Sequence, residues 1–355
     1  MPIHRLGLVV HHGRAEARAV ARSVWEWASA HGVPAAEMDV WFDSRRPRRS
    51  SVDEAAAAGH PDLIVTIGGD GTFLRGVRLA AASDAAVLGV NVGRLGFLTS
   101  VVPAEVDPAL DAVHAGRAEV ETRTTLTLRA SRAFDLPAGV DTWLRYGRGP
   151  ALPPPRPRET GVEEVGWGVP LRVVAMNDVV FEKLARDRQA SIGVYLEGNL
   201  FASYSADALI VATPTGSTAY SFAAGGPVLS PRLNGMVFTP VAPHMAFDRS
   251  LVLAGDEVVA VRVLERSGQV AVSVDGQLRG VLDPGDWVAV YPAPWRARLV
   301  RLHPSDFYAR LKSRFGLADA PAALADGRPP LTYRPDSPPP TDLDDLHLPW
   351  VHGHR

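Results

Sequence analysis

Residues 68–72 read Gly68-Gly69-Asp70-Gly71-Thr72, directly after the apolar run Leu63-Ile64-Val65-Thr66-Ile67. An apolar, β-branched run ending in glycines predicts a buried strand that enters a tight turn. Three glycines let the backbone bend and leave room for a ligand to approach main-chain N–H groups. The carboxylate between them has no Lys beside it. A carboxylate is the wrong group to bind phosphate and a suitable one to take a proton from a hydroxyl. The contrast points to phosphoryl transfer onto an alcohol.

A second constellation begins at Asp207, where Leu209–Ala212 leads into Thr213-Pro214-Thr215-Gly216-Ser217-Thr218-Ala219-Tyr220-Ser221. A strand, a turn dense in small hydroxyls and a short helix ended by Gly225-Gly226 would gather hydroxyls and helix N-terminal N–H groups in one small volume. That volume suits ribose, phosphate or base edges; the plainer alternative is a capped helix start. A third piece, Met176-Asn177-Asp178-Val179-Val180, sets a polar pair among apolar strand residues. It is either a turn or a pair of hydrogen-bonding groups at a site. The fourth, from Gly89 through Asn91-Val92-Gly93-Arg94-Leu95-Gly96-Phe97-Leu98, is a strand feeding a Gly-spaced loop, or only a linker between domains.

The elements that must position these pieces fall into two groups. Residues 1–121 alternate strand-like and helix-like segments, which predicts an α/β domain with a mostly parallel sheet covered on both faces. A helical pattern runs from Ala15 to His31 with Val20, Val24, Trp27 and Ala28 on one face and Gly32 at the stop. Asp43–Ser51 reads as a basic, Pro-containing loop, either a solvated linker or an electrostatic lure for an anionic substrate. From about residue 122 short period-2 runs take over, as in Ser191–Leu196 and Val270–Val274, and predict a C-terminal β-rich domain, a β-sandwich, over 122–303. Within it, the Pro-rich stretch 131–170 reads as an insertion, either a surface excursion or a cover for the cleft. Residues 304–317 return to a helical pattern, expected to come back to the N-terminal domain. Residues 318–355 read as a disordered tail.

At 355 residues the chain suits two domains, on a rough prior of 100–200 residues each. A formal net charge of -2 gives no reason to expect nucleic acid or an anionic membrane as partner. The absence of cysteine excludes disulfides and thiolate metal sites. No apolar stretch is long enough to span a bilayer, and with no export signal read at the N-terminus the expected location is cytoplasmic. The pair His11-His12 follows the first strand on the rim a nucleotide would use, yet adjacent His side chains point apart, so no metal site is assigned. His347, His352 and His354 are too sparse for structural zinc.

The order and wording of Gly68–Thr72, Asn91–Leu98, Asn177-Asp178, Thr213–Tyr220 and Pro243-His244, continued by Asp275-Gly276-Gln277 and Phe307-Tyr308, resemble the NAD kinase family. The resemblance spans about residues 3–317 apart from the insertion. It implies the NAD kinase-like fold and a kinase that phosphorylates the adenosine-ribose 2′-hydroxyl of NAD+. The donor would be ATP with Mg2+, or polyphosphate, and the family usually assembles as homodimers or homotetramers. By position, Asp70 would be the general base, with Gly69, Gly71 and Thr72 in the same nucleotide-binding turn. Phe97 would pack against the nucleotide, and Asn177 and Asp178 would hold ribose or adenine. Asp207 would sit near the nicotinamide end. Thr218, Ala219, Tyr220 and Ser221 would enclose adenine, and Ala242 and Gln277 would complete the pocket.

Three positions depart from the family pattern. Asp178 stands where Glu is usual, Ser205 where Arg is common, and Ala208 where Gly is usual. Ser cannot replace a permanently charged bidentate donor, so acceptor choice is where the chain is expected to differ. The alternatives are a related kinase acting on NADH, another nucleoside, a polyol or a lipid, and a non-catalytic dinucleotide sensor. The polar Thr213–Ser221 turn speaks against a lipid, and Asp70 with both flanking glycines speaks against a silent sensor.

Overall fold

In the computed structural model, residues 2–38, 50–93, 96–137, 139–140, 167–184, 189–245, 247–302 and 307–317 are described. The N-terminal elements are β1 (Leu6–Val10), α1 (Ala15–Ala30), β2 (Ala35–Glu37), α2 (Ser51–Ala57), β3 (Leu63–Gly68), α3 (Asp70–Ser83), β4 (Ala86–Asn91), α4 (Val106–His114) and β5 (Glu119–Arg123). Strands β1, β3 and β4 are buried along their whole length, because helices cover both faces of the sheet. Leu6, Leu8, Val65 and Leu88 pack with Val20, Val24, Trp27 and Leu110 on one side. Val9, Ile64 and Val87 pack with Ala55, Phe73 and Val77 on the other. The stripe expected on α1 is the face it buries.

Helix α2 begins at the end of the stretch read as a loop. The Ser50 hydroxyl accepts from Asp53 N–H at 3.1 Å, and the Asp53 carboxylate accepts from Ser50 N–H at 3.4 Å. This reciprocal cap, Ser-x-x-Asp, was the signal for a helix. Residues 43–49 of that loop lie outside the described residues.

The β-rich part contributes β6 (Leu126–Ala130), β7 (Val169–Ala175), β8 (Asp178–Lys183), β9 (Ala190–Leu196), β10 (Asn199–Ala206), β11 (Ala208–Ala212), β12 (Gly235–Val241), β13 (Leu251–Ala254), β14 (Val259–Val263), β15 (Val270–Val274), β16 (Gln277–Leu282) and β17 (Trp287–Pro292), followed by β18 (Ala297–Arg301). Two antiparallel sheets result, ordered β10-β9-β14-β17-β6-β7 and β13-β12-β11-β8-β15-β16. Alternate residues of both, including Leu126, Leu128, Ile192, Val194, Phe181, Val211, Phe238 and Val272, share one core.

The first sheet runs β2-β1-β3-β4-β18-β5. Strand β18, inside the span read as β-rich domain, therefore rejoins the N-terminal sheet, parallel to β4 and antiparallel to β5. It is buried on both sides, with Ala297 and Leu299 in one helix-covered core and Val300 in the other, as a strand inside that sheet must be. The chain leaves β1 toward β2 on one side, while β3 lies on the other. The carboxyl ends of β1 and β3 thus flank a topological switch point, where open α/β sheets form their ligand crevice.

The greater part of the 131–170 stretch and all of the 318–355 tail lie outside the described residues. The helix Phe307–Phe315 belongs to a second unit, Asp306–Arg355, with Phe307 and Leu311 partly buried. Among the described residues no helix is long and apolar enough to cross a membrane.

Candidate active site

The expected tight turn at the glycines is instead a direct strand-to-helix junction. Gly69 alone separates β3 from α3, in extended backbone at φ -110°, and none of Gly68, Gly69 and Gly71 has positive φ. The glycines are needed for space. A Cβ on Gly68 would lie 2.3 Å from the Thr72 hydroxyl oxygen, so the buried Thr72 occupies that place. Nothing stands within 4 Å of the Cβ positions of Gly69 and Gly71, so the start of α3 is bare backbone.

Asp70 is the first residue of α3 and is half-buried. Its Oδ2 accepts from Phe97 N–H at 3.1 Å and its Oδ1 from Leu98 N–H at 3.3 Å. The loop after β4 is therefore no mere linker: it aims the carboxylate. Gly96 makes this approach possible, since a Cβ there would lie 2.1 Å from Asp70 Oδ1. Each oxygen keeps a lone pair for a further donor. The same loop is tied to the β1 end, where Arg14 Nη1 donates to Val92 O at 2.9 Å. His12 pairs with Glu37.

Met176 lies in the same core as Phe73 and Leu98, which ties the end of β7 to the helix that Asp70 begins. The polar pair is a built turn. Asp275 accepts from the N–H groups of Met176 at 3.0 Å, Asn177 at 2.7 Å and Asp178 at 3.2 Å. Asp275 and Gly276 both have positive φ, the Asp-Gly hairpin between β15 and β16. Burial holds the Asp275 carboxyl above the usual range despite its three donors. Asp178, also buried, is pushed up to about 7 by burial and then by the neighbouring Asp275, against the Tyr220 N–H that favours its charge.

In the Thr213–Ser221 turn most hydroxyls serve the fold. Thr213, Ser217 and Ser221 are fully buried. Thr213 Oγ1 accepts from Gly216 N–H at 3.0 Å, Ser217 Oγ donates to Pro214 O at 2.7 Å, and Ser221 Oγ meets Thr239 Oγ1 at 2.9 Å. These three hydroxyls are thus spent inside the fold, which is the plainer of the two readings of this turn for them. Thr218 and Ala219 are half-buried and Tyr220 is exposed, and these face outward. Gly216 packs on Asn177, whose carbonyl carbon and oxygen would collide with any Cβ. Thus the polar pair and this turn are one assembly.

Asp207 pairs with Lys183 at 2.5 Å, and Ser205 Oγ donates to Gln189 Oε1 at 2.7 Å. Gln189 in turn donates to the carbonyl of Ala242, a non-glycine residue at φ +45°. Gln277 lines a cavity whose described lining includes no other expected site residue.

A buried charge network was not foreseen. Arg301 donates from Nη1 to Leu98 O and from Nε to Glu121, each at 2.8 Å. Arg123 pairs with Glu121 at 2.5 Å and donates to Thr215 Oγ1 at 3.3 Å. It links the loop that holds Asp70 to the turn that carries Tyr220. Burial raises the Glu121 pKa, but Arg123 and Arg301 outweigh it and hold the carboxyl below its ordinary value. The available signal was charged residues inside strand patterns. Among the described residues no group of three or more His, Cys, Asp or Glu side chains could hold a metal.

Residues 6–118 match the family model of the ATP-NAD kinase N-terminal domain, and residues 176–302 that of the ATP-NAD kinase C-terminal domain. The chain is 62% identical over 349 residues to NAD kinase 1 of Streptomyces avermitilis, covering 98% of this chain and 97% of the relative. It is 61% identical over 352 residues to NAD kinase 1 of Streptomyces coelicolor, covering 98% and 96%. Its fold is similar to that of yeast NADH kinase complexed with NADH, with TM-score 0.66, 21% identity and coverage of 90% and 89%. An NAD kinase from Archaeoglobus fulgidus in complex with ATP aligns with TM-score 0.59, 21% identity and coverage of 89% and 100%.

Proposed function

The chain belongs to the ATP-NAD kinase family, and from that membership we propose that it transfers the γ-phosphoryl group of ATP to the adenosine-ribose 2′-hydroxyl of NAD+, making NADP+. It is a phosphotransferase acting on a nucleotide hydroxyl. The observation that carries the finer reading is Asp70, a carboxylate aimed by two backbone N–H groups across bare glycine backbone at the strand ends. The acceptor hydroxyl would give its proton to Asp70 as its oxygen attacks the γ-phosphorus, and ADP would leave with the bridging oxygen.

The described residues offer no metal cage of their own, so Mg2+ would be carried by the donor's phosphates and would supply charge neutralisation there. Asn177, Asp178 and the outward side of Thr218–Tyr220 would hold the adenosine. A protonated Asp178 can donate to a ring nitrogen, and an ionised one can accept from a hydroxyl. Burial raises the Tyr220 phenol, and the nearby Glu182, Asp178 and Asp207 carboxylates raise it further, so the group stays a protonated hydrogen-bond donor at the adenosine end. The molecule is read as a homodimer or homotetramer.

The test is NADP+ formation from ATP, Mg2+ and NAD+. Asp70→Asn should lower the rate by about 10²–10⁴-fold with an unchanged circular dichroism spectrum. Turnover equal to the parent would remove Asp70 from the base role.

A further inference from the structure

Glu121, Arg123 and Arg301 stand on one face of the β5–β18 pair. Glu121 and Arg123 are two apart on β5, and Arg301 is diagonal to Glu121, which pairs with Leu299. Glu121 lies between the arginines, with Oε1 taken by Arg123 at 2.5 Å and Oε2 by Arg301 Nε at 2.8 Å. Each buried guanidinium also has a second partner, and these lead in opposite directions. Arg301 Nη1 donates to Leu98 O at 2.8 Å, and Leu98 N–H donates to Asp70 Oδ1 at 3.3 Å. Arg123 Nη1 donates to Thr215 Oγ1 at 3.3 Å, and Thr215 O accepts from the Thr218 hydroxyl at 3.3 Å. The contacts run from the carboxylate proposed as base to the turn proposed for adenosine.

Stability alone does not account for this arrangement, because apolar side chains of equal volume often hold a core as well as a buried ion pair does. What apolar groups cannot supply is direction. Residues 96–99 form no helix or strand, so no ladder fixes them. The loop regains a main-chain anchor at Ser100 and Val101, whose N–H groups donate to Gly89 O at 3.2 and 3.1 Å. Between that anchor and Asp70, Arg301 grips the main chain at Leu98 itself. A guanidinium suits this role because Nε and Nη1 project from one rigid plane toward two different partners. A lysine ends in one nitrogen on a flexible stem and would leave that spacing unfixed.

We propose that Arg301 and Arg123, joined through Glu121, are positioning residues for the phosphoryl transfer. Arg301 holds the loop that aims Asp70, and Arg123 holds the turn whose outward side meets adenosine. Base and acceptor are thereby kept in register across the two parts of the fold. In its kinetic terms this rests on the kinase reading of the site.

The experiment combines steady-state NADP+ formation with amide hydrogen exchange on the full chain. Arg301→Lys should lower kcat by about 10–100-fold, the effect of displacing a reacting group by about 1 Å, and leave KM for NAD+ unchanged. Added to Asp70→Asn, the same change should lower the rate no further, because the carboxylate it positions is already gone. A general folding defect would instead lower activity by one factor in both backgrounds. Thr215→Val leaves both ion pairs intact and should raise KM for NAD+ more than it lowers kcat. Exchange of the Phe97 and Leu98 amides should quicken about tenfold or more in Arg301→Lys, with β3 and β4 still protected. Equal factors in the two backgrounds, an unchanged KM in Thr215→Val, or unchanged exchange at 97 and 98 overturns the proposal. A parent that forms no NADP+ removes the kinase reading instead, and the exchange result then decides whether Arg301 positions Asp70.

Discussion

A carboxylate at the first position of a helix can simply face water, but Asp70 is held from 27 and 28 residues away by Phe97 and Leu98 N–H. Gly96→Ala should therefore act on catalysis before stability. The added methyl would overlap the Asp70 oxygens, and displacing a reacting group by about 1 Å can cost of order 100-fold in rate. NADP+ formation should fall by at least tenfold while the melting temperature stays within a few degrees. Asp178 yields a pH prediction. Its pKa rises from 3.8 to about 7 on folding, so between those values the folded chain keeps a proton the unfolded chain has lost. This group's contribution to stability thus falls as pH rises through that window. Asp178→Asn should stabilise the chain relative to the parent at pH 8 by several degrees, and much less at pH 4, in thermal melts. The residues proposed for the site stood out in the sequence because their types suit the chemistry. Their orientation did not, since Asp70 is aimed by backbone amides that carry no residue-type signal.

Among the elements, the strongest surprise is the β5–β18 pair with its Glu121, Arg123 and Arg301 side chains. Arg123 and Arg301 are 4% and 3% exposed, so removing the carboxylate would strand two buried cations. Glu121→Gln should destabilise the chain by about 3–5 kcal/mol, read in urea unfolding. Because the folded-state pKa of Glu121 lies below its ordinary 4.5, its contribution is present above that value and is lost as pH falls through the lowered one. The variant should lose this part of the parent's acid sensitivity. The alternating strands of the sandwich and the stripe of α1 were readable from periodicity. Strand β18 was not, because a short strand reads alike whichever sheet it joins.

For the whole molecule, the edge strands β10 and β13 of the sandwich present exposed apolar side chains. Leu200 and Phe201 on β10, Phe247 ahead of β13 and Val252 on it are exposed, and the Phe201 and Phe247 rings meet edge-to-face at 5.7 Å. Uncovered apolar edge strands are association surfaces. Sedimentation equilibrium should give two or four times the 38.0 kDa chain mass, and Phe201→Glu should shift it toward the monomer. Taken by itself, the sequence determined the kind of chemistry, the succession of α/β and β-rich parts and the residues able to take a proton, since these follow from residue type and short-range period. Only the tertiary structure decided which loop aims Asp70, which hydroxyls are consumed inside the fold, and that Glu121, Arg123 and Arg301 join that loop to the Thr215 turn. Those outcomes depend on contacts between residues tens to hundreds of positions apart, which local patterns do not encode.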